Sequence, residues 1–337
     1  MKLALHYAIP ELPIFCRLYK SAFRSGHGGG VGGVRQAFSR LAYYSLDFLG
    51  LGNATIHASF LVQGEQNPVT LNGRNRQFNS LYFAQYEHGY EPAVTLAIQD
   101  FYKDDMVFLD VGSNWGYFTV LVALADGFHG EIHSFEPMPY SYSDLKRLIH
   151  DLGLESLVKC HEVALGSEAG EVWITLPRHS GQAKINDQSK GARVRGQPLD
   201  SFNFPRVDLV KLDAEGFEGQ ILEGARSTID RCRPVIILEN DVSDERAIET
   251  VELLHSLSYS LYVPCLAFRS GDSYEVVDEY GIGRRGMEAC RLLYCPMLPV
   301  FRLRYAKRLN ILAVPEERVS GCSFLSQVLP ERSPIGL

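Results

Sequence analysis

The sequence predicts an α/β protein with a mostly parallel sheet covered by helices on both faces. From about residue 90 strand-like runs alternate with helix-like segments, and most of the runs are continuously apolar, as strands buried on both faces are. In addition, the stretch LDVGSNWGYFT at 109–119 places a carboxylate and a glycine turn at the end of the first strong run. Open parallel sheets bind their ligands there, beyond the carboxyl ends of the strands.

Taken in order, GHGGGVGG at 26–33 is glycine-rich enough to read as a flexible linker. Residues 34–51 then read as a helix, and 56–84 as short strands with a turn at Asn72-Gly73. Residues 1–84 are accordingly expected to be an N-terminal cap. EPAVTLAIQDFY (91–102) reads as a helix opened by Pro92 and leads into the run MVFLDV. Strand-like runs follow at 131–135, 158–163, 207–212, 234–238 and 259–263, with helix-like segments at 115–125, 139–152, 217–229 and 243–257. EVWITLP (171–177) and ARVRGQPLDSF (192–202) read as strands flanking a polar stretch, 178–191, with the character of a lid. The main domain is expected over 85–295. The tail, 296–337, holds RLRYAKR and several prolines and yields no element from sequence.

Composition narrows the function. With 337 residues, 46% of them hydrophobic, the chain can bury a large core, and its formal net charge of −7 lacks the positive field of a nucleic-acid binder. The seven cysteines are scattered with no C-x-x-C pair, which argues for a reducing compartment and against a structural zinc site. His6, Pro10, Glu11 and Pro13 interrupt any signal-peptide core, and no run reaches the roughly 18 to 20 apolar residues of a membrane span. A cytoplasmic location without a membrane span is the expectation, and a homo-oligomer is left open.

The turn selects the cofactor. A dinucleotide fingerprint needs G-x-G-x-x-G with a pyrophosphate on the helix N-terminus, whereas this chain has D-x-G-x-N-x-G. A leading carboxylate, Asp110, suits a ligand that carries an ammonium group, such as S-adenosylmethionine, better than a pyrophosphate. The next strand ends in FEP, so Glu136 lies one strand over, where it can accept hydrogen bonds from ribose hydroxyls. Glu136 serves any nucleoside; the turn makes the choice.

With VDLVKLDAEGFEGQILEGA at 207–225 added, the chain resembles the FkbM family of S-adenosylmethionine-dependent methyltransferases. The matching residues are YEP at 90–92, LDVGSNWGYFT, FEP at 135–137, VALGSEAGEV at 163–172, PLDSF at 198–202 and D-A-E-G-x-E at 213–218, together spanning roughly 85–260. The resemblance implies a Rossmann-like class I methyltransferase fold, a seven-stranded sheet whose last strand is antiparallel, and transfer to a hydroxyl of a sugar, polyketide or other small molecule. It implies that Asp110, Gly112, Asn114 and Gly116 form the methionine-binding turn, that Glu136 holds the ribose, and that Val163 and Ala164 line the adenine pocket. Glu91 would close the turn from below. Trp115 stands where many relatives have a smaller aliphatic residue.

Methyl transfer from a sulfonium needs a nucleophile held in line about 3 Å from the methyl group and relieved of its proton. Asp213, Glu215 and Glu218 cluster at the end of the fourth strand, and Glu239 and Asn240 at the end of the next. Asp213, Glu215 and Glu239 are the candidate catalytic groups; Asp213, Glu239 and Asn240 could instead hold Mg²⁺ with water and a substrate hydroxyl. Glu218 has the alternative of favouring a helix N-terminus. His133, His161 and His255 read as structural, and Tyr86 and Tyr90 as packing residues or walls of the acceptor pocket. The expected activity is O-methylation of a glycosyl unit or secondary metabolite. Its rivals are a nicotinamide-dependent oxidoreductase and a non-catalytic nucleoside-binding module.

Overall fold

Before the parallel sheet begins, the chain builds a small antiparallel sheet under a pair of helices. A computed structural model of the chain describes residues 3–23, 31–62, 64–83, 89–174, 185–186, 191–241, 245–270, 273–277, 290–297 and 308–326. β1 (Tyr7–Ala8) pairs with β2 (Thr55–Val62), which pairs with β3 (Glu65–Asn72) so that Val62 lies opposite Glu65. The turn expected at Asn72-Gly73 is therefore not between these strands. Gly73 instead donates its N–H to the Ala54 carbonyl at 2.8 Å, and a Cβ there would meet that oxygen at 2.5 Å. Close approach, not a hairpin, requires the glycine.

α1 (Ile14–Ala22) and α2 (Val31–Phe48) lie against this sheet, joined through Phe15, Tyr19 and Tyr43, whose rings are 5.0 and 5.1 Å apart. α2 takes in Gly32 and Gly33 of the expected linker; residues 26–30 of it lie outside the described residues. A 3₁₀ turn, Arg76–Leu81, leads on to α3 (Pro92–Phe101), where Pro92 opens the helix as its fixed φ and missing N–H allow.

The main sheet follows the apolar runs. β4 (Val107–Val111), α4 (Tyr117–Ala123), β5 (Glu131–Phe135), α5 (Pro139–Asp151) and β6 (Val158–His161) alternate, then β7 (Ala164–Leu165), β8 (Gly170–Ile174), β9 (Ile185–Asn186) and β10 (Ala192–Gln197) form a separate four-stranded sheet. The two strands expected to flank the insertion are present as β8 and β10 and pair antiparallel, although the PLDSF end of the second run forms a 3₁₀ turn over Leu199–Phe202. Most of the lid stretch 178–191 lies outside the described residues. After β11 (Leu209–Leu212) come α6 (Glu218–Glu223), α7 (Arg226–Cys232), β12 (Val235–Asp241), α8 (Glu245–Ser256), β13 (Tyr259–Ser270), β14 (Ser273–Val277), β15 (Cys290–Pro296) and β16 (Arg308–Pro315). The single helix expected over 217–229 is thus two. They break at Gly224, where a Cβ would sit 2.0 Å from the Gly166 carbonyl, and Asp200 of PLDSF caps α7 by accepting the N–H groups of Ser227 and Thr228.

Among the described residues the sheet has nine strands in the order β14-β13-β16-β12-β11-β4-β5-β6, with β15 also paired to β13. β12, β11, β4, β5 and β6 are parallel, and β16 runs antiparallel between β12 and β13. The seven-stranded pattern with one antiparallel strand is present, extended at its edge by β14 and β15. That antiparallel strand comes from the tail in which sequence placed no element. Its apolar core is only Ile311 to Val314, all wholly buried, and a run so short becomes a strand because neighbours on both sides pair with it. Leu109 and Val111 of β4 face one core with Phe135 and Leu238, while Phe108 faces the other with Phe118, so both faces are covered. No helix among the described residues is long and apolar enough to cross a membrane.

Candidate functional site

The carboxyl ends of β4, β5, β11 and β12 surround a cavity of about 200 Å³. Its floor is the turn after β4. Gly112 has φ +75, and a Cβ there would lie 1.8 Å from the Asp213 carbonyl oxygen; Gly116 has φ +93, and its Cβ would lie 2.5 Å from Leu145 Cδ1. Sequence reading gave these glycines to a ligand. Their missing side chains make room first for the protein's own chain.

Asp110 also takes a different place. The side chains of Phe108 and Asp110 share the face of β4 that packs under α4, so the Asp110 carboxylate is fully buried and forms no part of the cavity wall. Its Oδ2 accepts Thr119 N–H at 3.0 Å and Thr119 Oγ1–H at 2.7 Å, fixing the first turn of α4. Burial raises its pKa, opposed by the Lys211 ammonium on the neighbouring register position of β11.

Glu136 sits where expected. It is buried at the end of β5 and lines the cavity, with Oε2 accepting Asn114 N–H and Oε1 accepting Met138 N–H, both at 2.8 Å. Burial pushes its pKa up to about 7, although those two hydrogen bonds pull the other way. The carboxylate is thus held in one orientation before any ligand arrives. Asn114, Val163, Ala164 and Glu91 line the same cavity, whereas Gly116 does not.

Across the cavity, one carboxylate oxygen each from Asp213, Glu215 and Glu239 lie within 4.8 Å of one another. The structure does not bring Asn240 to them. Successive residues on a strand face opposite ways, and the Asn240 amide is buried with Nδ2 donating to the Ala247 carbonyl at 3.2 Å. Glu218 is occupied too: its Oε1 accepts the N–H groups of Ala214 and Gly216 at 2.9 and 3.2 Å, tying down the loop before α6.

Lys211, which sequence reading passed over, stands among these acids. Its Nζ donates to Asp213 Oδ2 at 3.0 Å and lies 5.0 Å from the Phe118 ring centre. Burial alone would lower its pKa, but Asp213, Glu91 and Asp110 outweigh that and hold it above the ordinary lysine value. Its signal is present in the sequence: LVKL (209–212) carries one charged residue in an apolar strand, and a buried charge needs partners.

Three residues other than glycine on the cavity wall, Glu91, Asn114 and Glu215, have φ of 45, 52 and 53. Each costs on the order of 1–3 kcal/mol, and such strain gathers where structure is fixed for function. The N-terminal region contributes Gln77 and Ser80 to the same wall, and Trp115 packs against Phe78 in a tilted pair with ring centres 4.9 Å apart. Tyr90 is a wall residue; Tyr86 lies outside the described residues. His133 Nδ1 and His161 Nε2 are 2.9 Å apart in a stack with Phe135, burial carries the His161 pKa down to about 4, and neither ring reaches the cavity. His255 is exposed on α8.

Residues 110–261 match the sequence model of the methyltransferase FkbM domain. Over that stretch the chain is similar to the FkbM methyltransferase domain. A relative, Methyltransferase 1 of Beauveria bassiana (strain ARSEF 2860), is 27% identical over 150 residues, which make up 36% of this chain and 59% of that protein. Among solved structures, methyltransferase FkbM from Methylobacillus flagellatus KT is 17% identical with TM-score 0.37, over 59% of this chain and 46% of its own. An O-methyltransferase from Bacillus cereus in complex with SAH is 16% identical with TM-score 0.37, over 71% and 88%. The chain spans about half the length of the FkbM structure and under two thirds of the curated relative.

Proposed function

We propose that this protein is an S-adenosylmethionine-dependent methyltransferase that methylates a hydroxyl of a sugar, polyketide or other small molecule. The observation that supports it most directly is Glu136, whose two oxygens are each fixed by a main-chain N–H while the carboxylate faces the cavity beside the glycine turn. Each oxygen keeps a lone pair that suits a ribose hydroxyl. Val163, Ala164 and Phe135 offer an apolar berth for adenine, and the charged end of the cavity, with Glu91, Asp213 and Lys211, suits an amino acid's ammonium and carboxylate. Bound there, S-adenosylmethionine supplies an electrophilic methyl group.

Asp213, Glu215 and Glu239 are proposed to face the acceptor. Lys211 already neutralises Asp213, so the proton of an acceptor hydroxyl is best taken by Glu239 or Glu215. The three-carboxylate cluster supports a second reading, in which Asp213, Glu215 and Glu239 hold Mg²⁺ and the ion acidifies the hydroxyl. All seven cysteines are free thiols, which supports an intracellular setting.

Calorimetric titration tests the cofactor. S-adenosylmethionine is expected to bind and NAD not to, with Glu136→Ala weakening binding by about 10²-fold through two lost charge-assisted hydrogen bonds. Equal binding of both cofactors, or an unchanged Glu136→Ala affinity, would remove the reading. Glu239→Gln is expected to bind the cofactor normally while turnover falls about 10²-fold or more. Activity that disappears with chelator and returns with Mg²⁺ selects the metal reading.

A further inference from the structure

We infer that the α1–α2 hairpin docks this protein on the surface of an anionic lipid bilayer. One face of α2 is turned to solvent and is apolar: Phe38 is 70% exposed, Leu41 68%, Tyr44 40% and Phe48 89%. These positions recur at three- and four-residue spacing, so they form one stripe along the helix. The opposite face, with Ser39 and Tyr43, is buried in the N-terminal core. The helix therefore shows its second apolar face to water after the first has been satisfied.

The stripe continues into a formed tip. Leu49 and Leu51 are 60% and 54% exposed, yet their main chain is tied down: Leu49 N–H donates to the Ser45 carbonyl at 3.1 Å and Leu51 N–H to the Leu46 carbonyl at 2.9 Å. Gly50 and Gly52, with φ +65 and +87, make the turn that aims these side chains outward. Ile14 on α1 adds a further large apolar group at 60% exposure. An exposed apolar cluster fixed on ordered backbone is the form a membrane or partner contact takes.

Charge selects lipid. The segment 14–51 carries Arg17, Lys20, Arg24, Arg35 and Arg40 against a single acid, Asp47, in a chain whose net charge is −7, and Arg17 has a further acid, Glu11, at 3.8 Å just outside the segment. Asp47 is itself paired with Arg76 at 3.0 Å and Arg74 at 3.6 Å, so it subtracts little from the hairpin's positive field. The Arg74 guanidinium binds the Leu51 and Gly52 carbonyls at the tip. An exposed apolar stripe in a segment whose sequence carries a basic excess matches the headgroup boundary of an anionic leaflet, where apolar burial and attraction to phosphate add. The helix would lie on the surface; spanning is not involved.

The test is co-sedimentation of the full chain with phosphatidylcholine vesicles, with and without phosphatidylserine. The protein is expected to pellet with the anionic vesicles, to be released by high salt, and to bind at least about tenfold more weakly as Phe38→Ser/Leu41→Ser/Phe48→Ser. Arg17→Glu/Lys20→Glu is expected to weaken binding to anionic vesicles while leaving the apolar stripe in place. Thermal melts of both variants establish that they fold. The inference is overturned if the folded triple variant binds as well as the parent, if the parent binds neither vesicle, or if neutral vesicles bind equally well. It is also overturned if sedimentation equilibrium finds a dimer of the parent that the triple variant abolishes, since a second copy would then cover the stripe.

Discussion

The two sides of the cavity are built by different means. On the β4–β5 side the main chain sets the geometry: Gly112 passes beneath the Asp213 carbonyl, and Glu136 is held by two backbone N–H groups. On the β11–β12 side, charge balance sets it, with Lys211 placed among Asp213, Asp110 and Glu91. Backbone-built geometry admits almost no substitution, whereas a charge-balanced cluster can change one member if another compensates. A cofactor shared across a family suits the first kind of wall, and an acceptor that varies suits the second.

Breaking the charge balance should have the largest effect. Lys211→Met leaves the buried Asp110 and the half-buried Asp213 without their cation and is expected to cost about 3–5 kcal/mol in urea denaturation. A loss below about 1 kcal/mol would show that the acids do not depend on it. Gly112→Ala tests the other wall. The collision with Asp213 and the left-handed φ together should cost roughly 3 kcal/mol, and cofactor binding should be lost with the turn. If this variant melted like the parent, the turn would be more yielding than its contacts imply.

The smallest effect sharpens the comparison through pH. The folded pKa of Glu136 stands near 7, above the unfolded carboxylate value, so the empty protein takes up a proton there as pH falls through about 7. The folded state then binds more protons than the unfolded state, so this group's contribution to stability declines as pH rises from the unfolded value through 7. Cofactor binding runs the opposite way, because the ionised form is the better acceptor for ribose hydroxyls. Affinity for S-adenosylmethionine should rise about tenfold between pH 6 and pH 8 and then level, a trend that calorimetry of Glu136→Gln should not reproduce.

Much of the fold could be read directly. EIHSF is a strand over its whole length, PVIIL begins one that runs three residues further to Asp241, and Pro92 opens its helix, because continuous apolar runs and proline's fixed φ act locally. β16 could not be read, since four apolar residues become a strand only between β12 and β13. The Asn72-Gly73 turn misled for a related reason. The dipeptide permits a hairpin, but the contact with Ala54 and Cys16 decided its use.

The site divides along the same line. The sequence alone determined that a carboxylate-glycine turn and a strand-end glutamate lie side by side, because strand order and period place Gly112 and Glu136 at adjacent carboxyl ends whatever else the chain does. Tertiary structure alone decided which acids face the cavity: it turned Asp110 under α4 and Asn240 toward α8, and set Lys211 among the rest. Burial and charge pairing act between residues distant in sequence, so the direction of a side chain off a strand end is settled only when its neighbours are in place.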